Sequence, residues 1–216
     1  MQSDRLDLLP HEQRLALTYA PREARTYCHT LMQFDARLAD IVRTIREPIL
    51  AQMRLAWWRD RLRDTPENWP VGEPLLAELK SWGKTARKLE AVVDGWELLI
   101  GEDQLTADDV TSFATSRGAG WAALAAVIGE DPDAAATAGA DWALVDLACN
   151  LSSPEEQDTV AQILRERMMR AVALPRSLRS LAVLHTLALR AAHKNRGLLD
   201  GPGAMGLAMR VGIFGR

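Results

Sequence analysis

A handful of acidic residues are the side chains best placed to do chemistry, and their spacing decides how many could act together. Wound as a helix at about 100° per residue, the segment around Asp35 puts this carboxylate in the middle of an apolar stripe with Leu31, Leu38, Ala39 and Val42. A buried carboxylate without a partner is costly, so Asp35 calls for a cation. Arg54 is the candidate, because it shares a rail with Leu50 and Trp57 on the following helix, which should fold back against the first. Such a pair reads either as a structural ion pair that fixes helix packing or as a polar floor for a ligand head group. Asp40 points away from the stripe and reads as solvated. Asp141 and Asp146 stand on a later helix about 140° apart around its axis, so they do not form an i, i+4 pair.

Arginine suits bidentate phosphate contact. Arg22, Arg25, Arg37, Arg54 and Arg117 are the candidates, and Arg117 interrupts the Val110–Trp121 stripe. Trp57, Trp58, Trp96, Trp121 and Trp142 fall on or beside helix stripes, where they either line an apolar cavity or fill the core. The set taken as substrate-contacting is Asp35, Arg54, Trp57, Arg117, Trp121 and Asp146. No catalytic residue and no metal ligand is assigned. His185 and His193 lie about 80° apart on a helix and lack a third ligand. Gly201-Pro202-Gly203 has neither the preceding strand nor the following Lys-Ser/Thr of a phosphate loop.

The elements that must position these residues are all helical. From Ala24 apolar residues recur with helical period to Ile45, and Glu47-Pro48 ends that run. A second helix spans about Ile49 to Arg63. After a Pro- and Gly-containing loop, a short helix opens at Pro74, and Thr85 to Leu99 form a longer one closed by Gly101. Thr106 and Asp109 have the spacing of a capping pair for a helix that ends at Gly129. Ala134–Asn150 is apolar nearly all round and should be central. Ser153 starts a helix reaching about Val172, and Ser177–Asn195 form another. The alternation of strands appears nowhere. The expected fold is therefore all-α, a single-domain bundle of about eight helices. Residues 1–20 read as an irregular arm, 21–200 as the helical domain and 201–216 as a Gly-rich tail.

Composition excludes several functions. The formal charge is −3, with no basic stripe of the kind that binds nucleic acid. Cys28 and Cys149 show no CxxC pattern and read as buried thiols in a reducing compartment. The start MQSDRLDLLP lacks the basic and apolar regions of a signal peptide. No window holds the ~20 apolar residues of a membrane span. A cytoplasmic protein is expected, with the apolar tail as a weak membrane-peripheral candidate because it lacks a strong basic face.

The stretch FDARLADIVRTIREPILAQMRLAWWRDRL, Phe34 to Leu62, resembles the squalene/phytoene synthase family. Its EP…RLAWWRD portion is similar to a subgroup related to the family's mitochondrial complex I assembly factor. SRGAGWAALAAVIG (Ser116–Gly129), AGADWALVDLACNL (Ala138–Leu151) and LPRSLRSLAVLHTLALR (Leu174–Arg190) resemble later family segments in the right order. The resemblance implies an isoprenoid-synthase-like helical cavity in which two prenyl diphosphates are joined head to head. It also implies Mg²⁺ held by two aspartate motifs on facing helices, because a diphosphate leaving group needs its charge neutralised. The paired positions of the first motif fall on Ala39 and Arg43, and those of the second near Cys149 and Ser153. Both motifs thus look eroded, and the family's late Gly-Arg-Tyr-Leu-Pro segment is reduced to Leu174-Pro175. The expected function is that of a non-catalytic, pseudoenzyme-like protein that binds a prenyl diphosphate or lipid, or acts like an assembly factor with a protein partner, without cofactor. The alternatives are an active prenyltransferase using Mg²⁺ through nonstandard ligands, and an interaction module whose cavity has closed.

Overall fold

The computed structural model describes residues 9–101, 104–167, 169–194 and 196–215. The first eight residues of the expected arm therefore lie outside the described residues, as do 168, 195 and 216 of the later expected segments. The chain is all helical among the described residues. In order, α1 is His11–Thr18, α2 Arg22–Thr44, α3 Pro48–Arg63, α4 Pro74–Leu79 and α5 Glu90–Glu97. Then follow α6 Ala107–Val127, α7 Pro132–Asn150, α8 Pro154–Glu166, α9 Arg179–Lys194 and α10 Ala204–Phe214.

Several boundaries follow from local chemistry. Pro48, Pro74, Pro132 and Pro154 each occupy the first turn of a helix, where no backbone N–H is needed. Thr106 and Asp109 form the full reciprocal cap of α6: Thr106 Oγ1 accepts from the Asp109 N–H, and Asp109 Oδ2 accepts from the Thr106 N–H at 3.0 Å. Between α4 and α5 the chain runs through tight turns, Lys80–Leu89, broken at Gly83. With φ 54° and ψ −136°, Gly83 occupies a conformation that a Cβ would strain.

The core lies where α6 and α7 cross the middle of the bundle, and small residues let the two backbones approach. A Cβ on Gly118 would stand 2.5 Å from the Ala136 carbonyl oxygen, and one on Gly139 would stand 2.6 Å from Trp121 Cδ1. Trp121 and Trp142 meet edge to face at 6.3 Å beside this crossing. The first long helix, α2, packs along the pair and buries Leu31, Phe34, Leu38 and Ile41. Cys28 is buried, as expected, which pushes its thiol up to about 11, and it accepts a hydrogen bond from Ser180.

Four sequence expectations need correction. Cys149 is exposed, because it falls near the end of α7, beyond the part that crosses the core. Residues 11–18 are not irregular: they form α1, whose inner side buries Gln13, Ala16 and Leu17. The tail likewise contains α10, which buries Ala204, Ala208 and Val211. The fourth concerns α3. The rail Leu50–Arg54–Trp57 faces outward, with Leu50 47% and Trp57 39% exposed, while Ala51, Leu55, Trp58 and Leu62 face the core. Apolar residues occur all round this helix, so its own pattern does not choose a face. Contact with α2 chooses it, through the edge-to-face meeting of Trp58 and Phe34 at 5.4 Å.

Candidate functional site

The two carboxylates that face each other across the bundle are Asp35, midway along α2, and Asp146, near the end of α7. Arg117 of α6 lies between them. Its Nε and Nη2 donate to the two oxygens of Asp35 at 3.0 and 2.5 Å, a bidentate fork. Its Nη1 donates to Asp146 Oδ2 at 2.6 Å. The Arg117 side chain is 2% exposed, Asp35 9% and Asp146 13%, so the triad is almost free of bulk water. Burial alone works against the Arg117 charge. The adjoining Asp35 and Asp146 carboxylates more than reverse this and hold the guanidinium above its ordinary range.

Aromatic rings complete the setting. The Trp96 indole N–H donates to Asp35 Oδ1 at 2.8 Å. The guanidinium carbon of Arg117 stands 4.3 Å from the Trp142 ring centre, 5.3 Å from Trp96 and 5.4 Å from Phe113. The charge is therefore met both by carboxylates and by aromatic rings.

The triad forms one wall of a cavity of about 800 Å³. That volume lies within the range of small-molecule sites, roughly 300–1,000 Å³. The other walls come from His11–Gln13 of α1, Ala36, Ala39, Val42 and Arg43 of α2, and Leu98–Gly101 after α5. Asp109 and Phe113 of α6, Leu147 and Asn150 of α7, and Leu198 and Leu199 before α10 close the remainder. The lining thus combines carboxylates and other polar groups with aliphatic side chains such as Val42, Leu99 and Leu147. Glu12 also lines the cavity; burial first, and then the neighbouring charge of Asp146, raise its carboxyl above the usual range.

The structure brings together three of the residues singled out in the sequence, Asp35, Arg117 and Asp146. Trp121 lies beside them in the core, 2% exposed, but does not line the large cavity. Arg54 and Trp57 are on the outer face of α3, away from it. The expected Asp35–Arg54 pair is corrected accordingly: the partner of Asp35 is Arg117, because the register of α3 turns Arg54 to solvent. Asp40 is exposed, as the helical wheel requires.

Residues that the sequence does not single out also contribute. The sequence marks Trp96 as an aromatic, not as the donor to Asp35. Gln13 and Glu12 are hidden in the expected arm, although the spacing of Gln13, Ala16, Leu17 and Ala20 carries a helical signal. Asn150 stands one turn beyond Asp146, donates to the Asp146 backbone oxygen at 2.7 Å and lines the cavity. Asp141, on the other side of α7, belongs to a separate cluster: Arg167 Nε lies 2.6 Å and His185 Nε2 3.2 Å from its two oxygens.

The i, i+4 positions on the cavity side of α2 are Asp35, Ala39 and Arg43, and on α7 Asp146 and Asn150. Each helix therefore presents one carboxylate, and both carboxylates are engaged by Arg117. No group of three or more His, Cys, Asp or Glu able to hold a metal ion occurs among the described residues. No helix among the described residues is long and apolar enough to cross a membrane.

Comparison with known proteins adds one match. The family model described as squalene/phytoene synthase matches residues 11–140, from α1 through the first half of α7. No curated protein and no solved structure matches the chain.

Proposed function

Because the chain belongs to the squalene/phytoene synthase family, we propose that it binds a prenyl or related lipid in the 800 Å³ cavity without performing the metal-dependent condensation of prenyl diphosphates. The observation that carries this reading is the position of Arg117. Its guanidinium stands between the carboxylates of α2 and α7, where a divalent ion bridging two facing helices would need them. The donor set does not fit Mg²⁺, which takes oxygen ligands in near-octahedral order. Asp35 offers both oxygens to Arg117 and one also to Trp96, and the next turn of each helix supplies Ala39 and Asn150 instead of a second carboxylate.

The aliphatic walls support the lipid part of the proposal. Ala36, Ala39, Val42, Leu98, Leu99 and Leu147 give a hydrocarbon chain a surface to bury, at roughly 25 cal/mol per Å² removed from water. The cavity is open rather than filled by tryptophan, which argues against an interaction module with a closed centre. An assembly-factor-like role is compatible with this reading, since it asks for binding without turnover.

The test is turnover. Purified protein incubated with farnesyl or geranylgeranyl diphosphate and Mg²⁺ is expected to release no pyrophosphate and form no condensed product. Metal-dependent pyrophosphate release that disappears in Asp146→Asn would overturn the proposal and restore the active-transferase reading.

A further inference from the structure

The large apolar side chains left exposed among the described residues are not scattered. Ile49 at 72%, Met53 at 63%, Leu50 at 47% and Trp57 at 39% all stand on the outer face of α3. Ile49, Met53 and Trp57 follow one another at i, i+4 and i+8, so they form one row along the helix, with Leu50 beside it. Pro48, also exposed, extends the row at its start, and exposed Asp60, one turn beyond Trp57, ends it. A helix gains nothing by holding such a row in water, and clustered exposure of this kind marks an interaction surface.

Charge says what kind of surface it meets. Arg54 shares the rail of Leu50 and Trp57, and Arg43 and Arg46 precede Pro48 where α2 gives way to α3. All three are exposed, and among the described residues none of them is in an ion pair. Arg59 and Arg63, by contrast, are engaged by Asp94, Glu97 and Glu90. Glu47 is the one acid between Val42 and Arg59, in a chain whose formal charge is −3. The other exposed apolar row, Met205, Met209 and Ile213 on α10, has Arg210 as the sole charged residue of its helix. Apolar side chains flanked by arginine and closed by a tryptophan suit a helix lying in the head-group layer of an anionic membrane. The arginines meet the lipid anions, the aliphatic side chains enter the acyl boundary, and the indole takes the border between them. Size decides against a protein partner. From Ile49 to Trp57 the row spans about 12 Å, and its few side chains offer much less than the roughly 800 Å² per partner that a stable protein–protein interface buries.

We propose that the outer face of α3 docks this protein on an anionic lipid bilayer, with Ile49, Leu50 and Met53 inserted, Trp57 at the border and Arg43, Arg46 and Arg54 on the head groups. The fold gives this docking a use. Arg43 lines the large cavity, and so does Leu98. Ion pairs Arg63–Glu90 and Arg59–Asp94, each at 2.7 Å, set α3 and α5 antiparallel, so the chain leaving α5 at Leu98 heads toward the N-terminal end of α3. The docked face therefore lies on the side where Arg43 and Leu98 border the cavity, and a lipid ligand enters it from the bilayer. That consequence rests on the reading of the cavity as a lipid site; the docking itself does not.

The experiment sediments the full-length protein with vesicles of phosphatidylcholine alone and of phosphatidylcholine mixed with phosphatidylserine. Binding to the mixed vesicles is expected to weaken with added salt and to exceed binding to phosphatidylcholine by about tenfold or more. Ile49→Gln together with Met53→Gln should weaken it by about tenfold or more, and Arg54→Gln by about fivefold. These positions are exposed, so the urea midpoints of the variants should match wild type. Lipids brominated on their acyl chains should quench the fluorescence of wild type more than that of Trp57→Phe. Met205→Gln together with Met209→Gln, on α10, should leave binding unchanged. Absence of vesicle binding, equal binding to the two compositions, or loss of binding in the α10 variant but not in the α3 variant overturns the proposal. So does a dimer in sedimentation equilibrium that Ile49→Gln with Met53→Gln converts to a monomer, which would make this face a contact between copies. Because the vesicles carry no prenyl lipid, these failures are distinct from failure of the cavity to bind its ligand.

Discussion

Replacing Arg117 with methionine isolates the physics of the buried triad. The substitution keeps a long apolar stem and removes the charge that serves Asp35 and Asp146, whose side chains are 9% and 13% exposed. Breaking a buried ion pair by removing one partner costs about 3–5 kcal/mol, because the remaining charge is left without compensation. Loss of the contacts with Trp142, Trp96 and Phe113 adds up to about 2 kcal/mol for a desolvated cation. Against a total stability of about 5–15 kcal/mol, the single variant should lose about a fifth of its margin or more. With a urea m-value of about 2–3 kcal/mol/M, the unfolding midpoint followed by far-UV circular dichroism should fall by about 1–3.5 M. The triple variant Asp35→Asn, Arg117→Met, Asp146→Asn removes all three charges together and should recover most of the loss, since neutral replacement of a buried charge cluster is close to neutral in energy. A shift below about 0.3 M for the single variant, or a triple variant no more stable than the single one, refutes the claim that the carboxylates depend on Arg117.

Three further outcomes test the packing and electrostatics. Leu55→Ala, at a fully buried position, should cost about 2–5 kcal/mol, whereas Leu50→Ala, 47% exposed, should cost about 1 kcal/mol or less; the reverse order in urea denaturation would restore the Leu50–Arg54–Trp57 face to the core. Gly118→Ala places a Cβ 2.5 Å from the Ala136 carbonyl oxygen, so it should force α6 and α7 apart and cost about 1–3 kcal/mol, seen as a lowered Tm; an unchanged Tm contradicts the close approach of the two backbones. The Asp141 carboxyl is opposed by burial, but hydrogen bonds from His185 and Arg167 hold it below its ordinary value of 3.8. A depressed carboxyl contributes stability above its unfolded-state pKa and loses that contribution as pH falls through the folded one. Wild type should therefore lose stability relative to Asp141→Asn on acidification below about pH 4, and parallel profiles down to pH 2 would remove Asp141 from the acid response.

The helices are legible wherever one side of a segment alone is apolar or a cap marks the start. The interval from Leu31 to Val42 has a single stripe, which turns Asp35 inward and Asp40 outward, and the structure agrees. Thr106 and Asp109 mark a helix start because their side chains can answer each other within one turn. Segments with apolar residues on all sides are not legible in the same way. Along α3 the choice between Trp57 and Trp58 is made by Phe34 on another helix, and no periodicity within α3 contains it. The same limit governs the site. Arg117 stands out as an interruption of its stripe, and Asp35 as a carboxylate in want of a cation. Joining them requires knowing that α6, not α3, lies against the middle of α2. Gln13 escapes notice because α1 is short and carries its signal in only a few positions.

The arrangement around Arg117 also bears on how freely this chain could change. Acquiring a second carboxylate at Ala39 or Asn150 while Arg117 stays adds negative charge to a lining that already carries Glu12, Asp35 and Asp146. Removing Arg117 first strands Asp35 and Asp146. Each single step toward a metal-holding pocket is therefore a step downhill in stability, and the gain arrives only after several changes have accumulated. Such a residue acts as a ratchet in sequence space: it makes the present charge pattern of the pocket, which on the proposed reading works without metal, persistent under mutation, because the shortest routes away from it pass through variants that fold poorly.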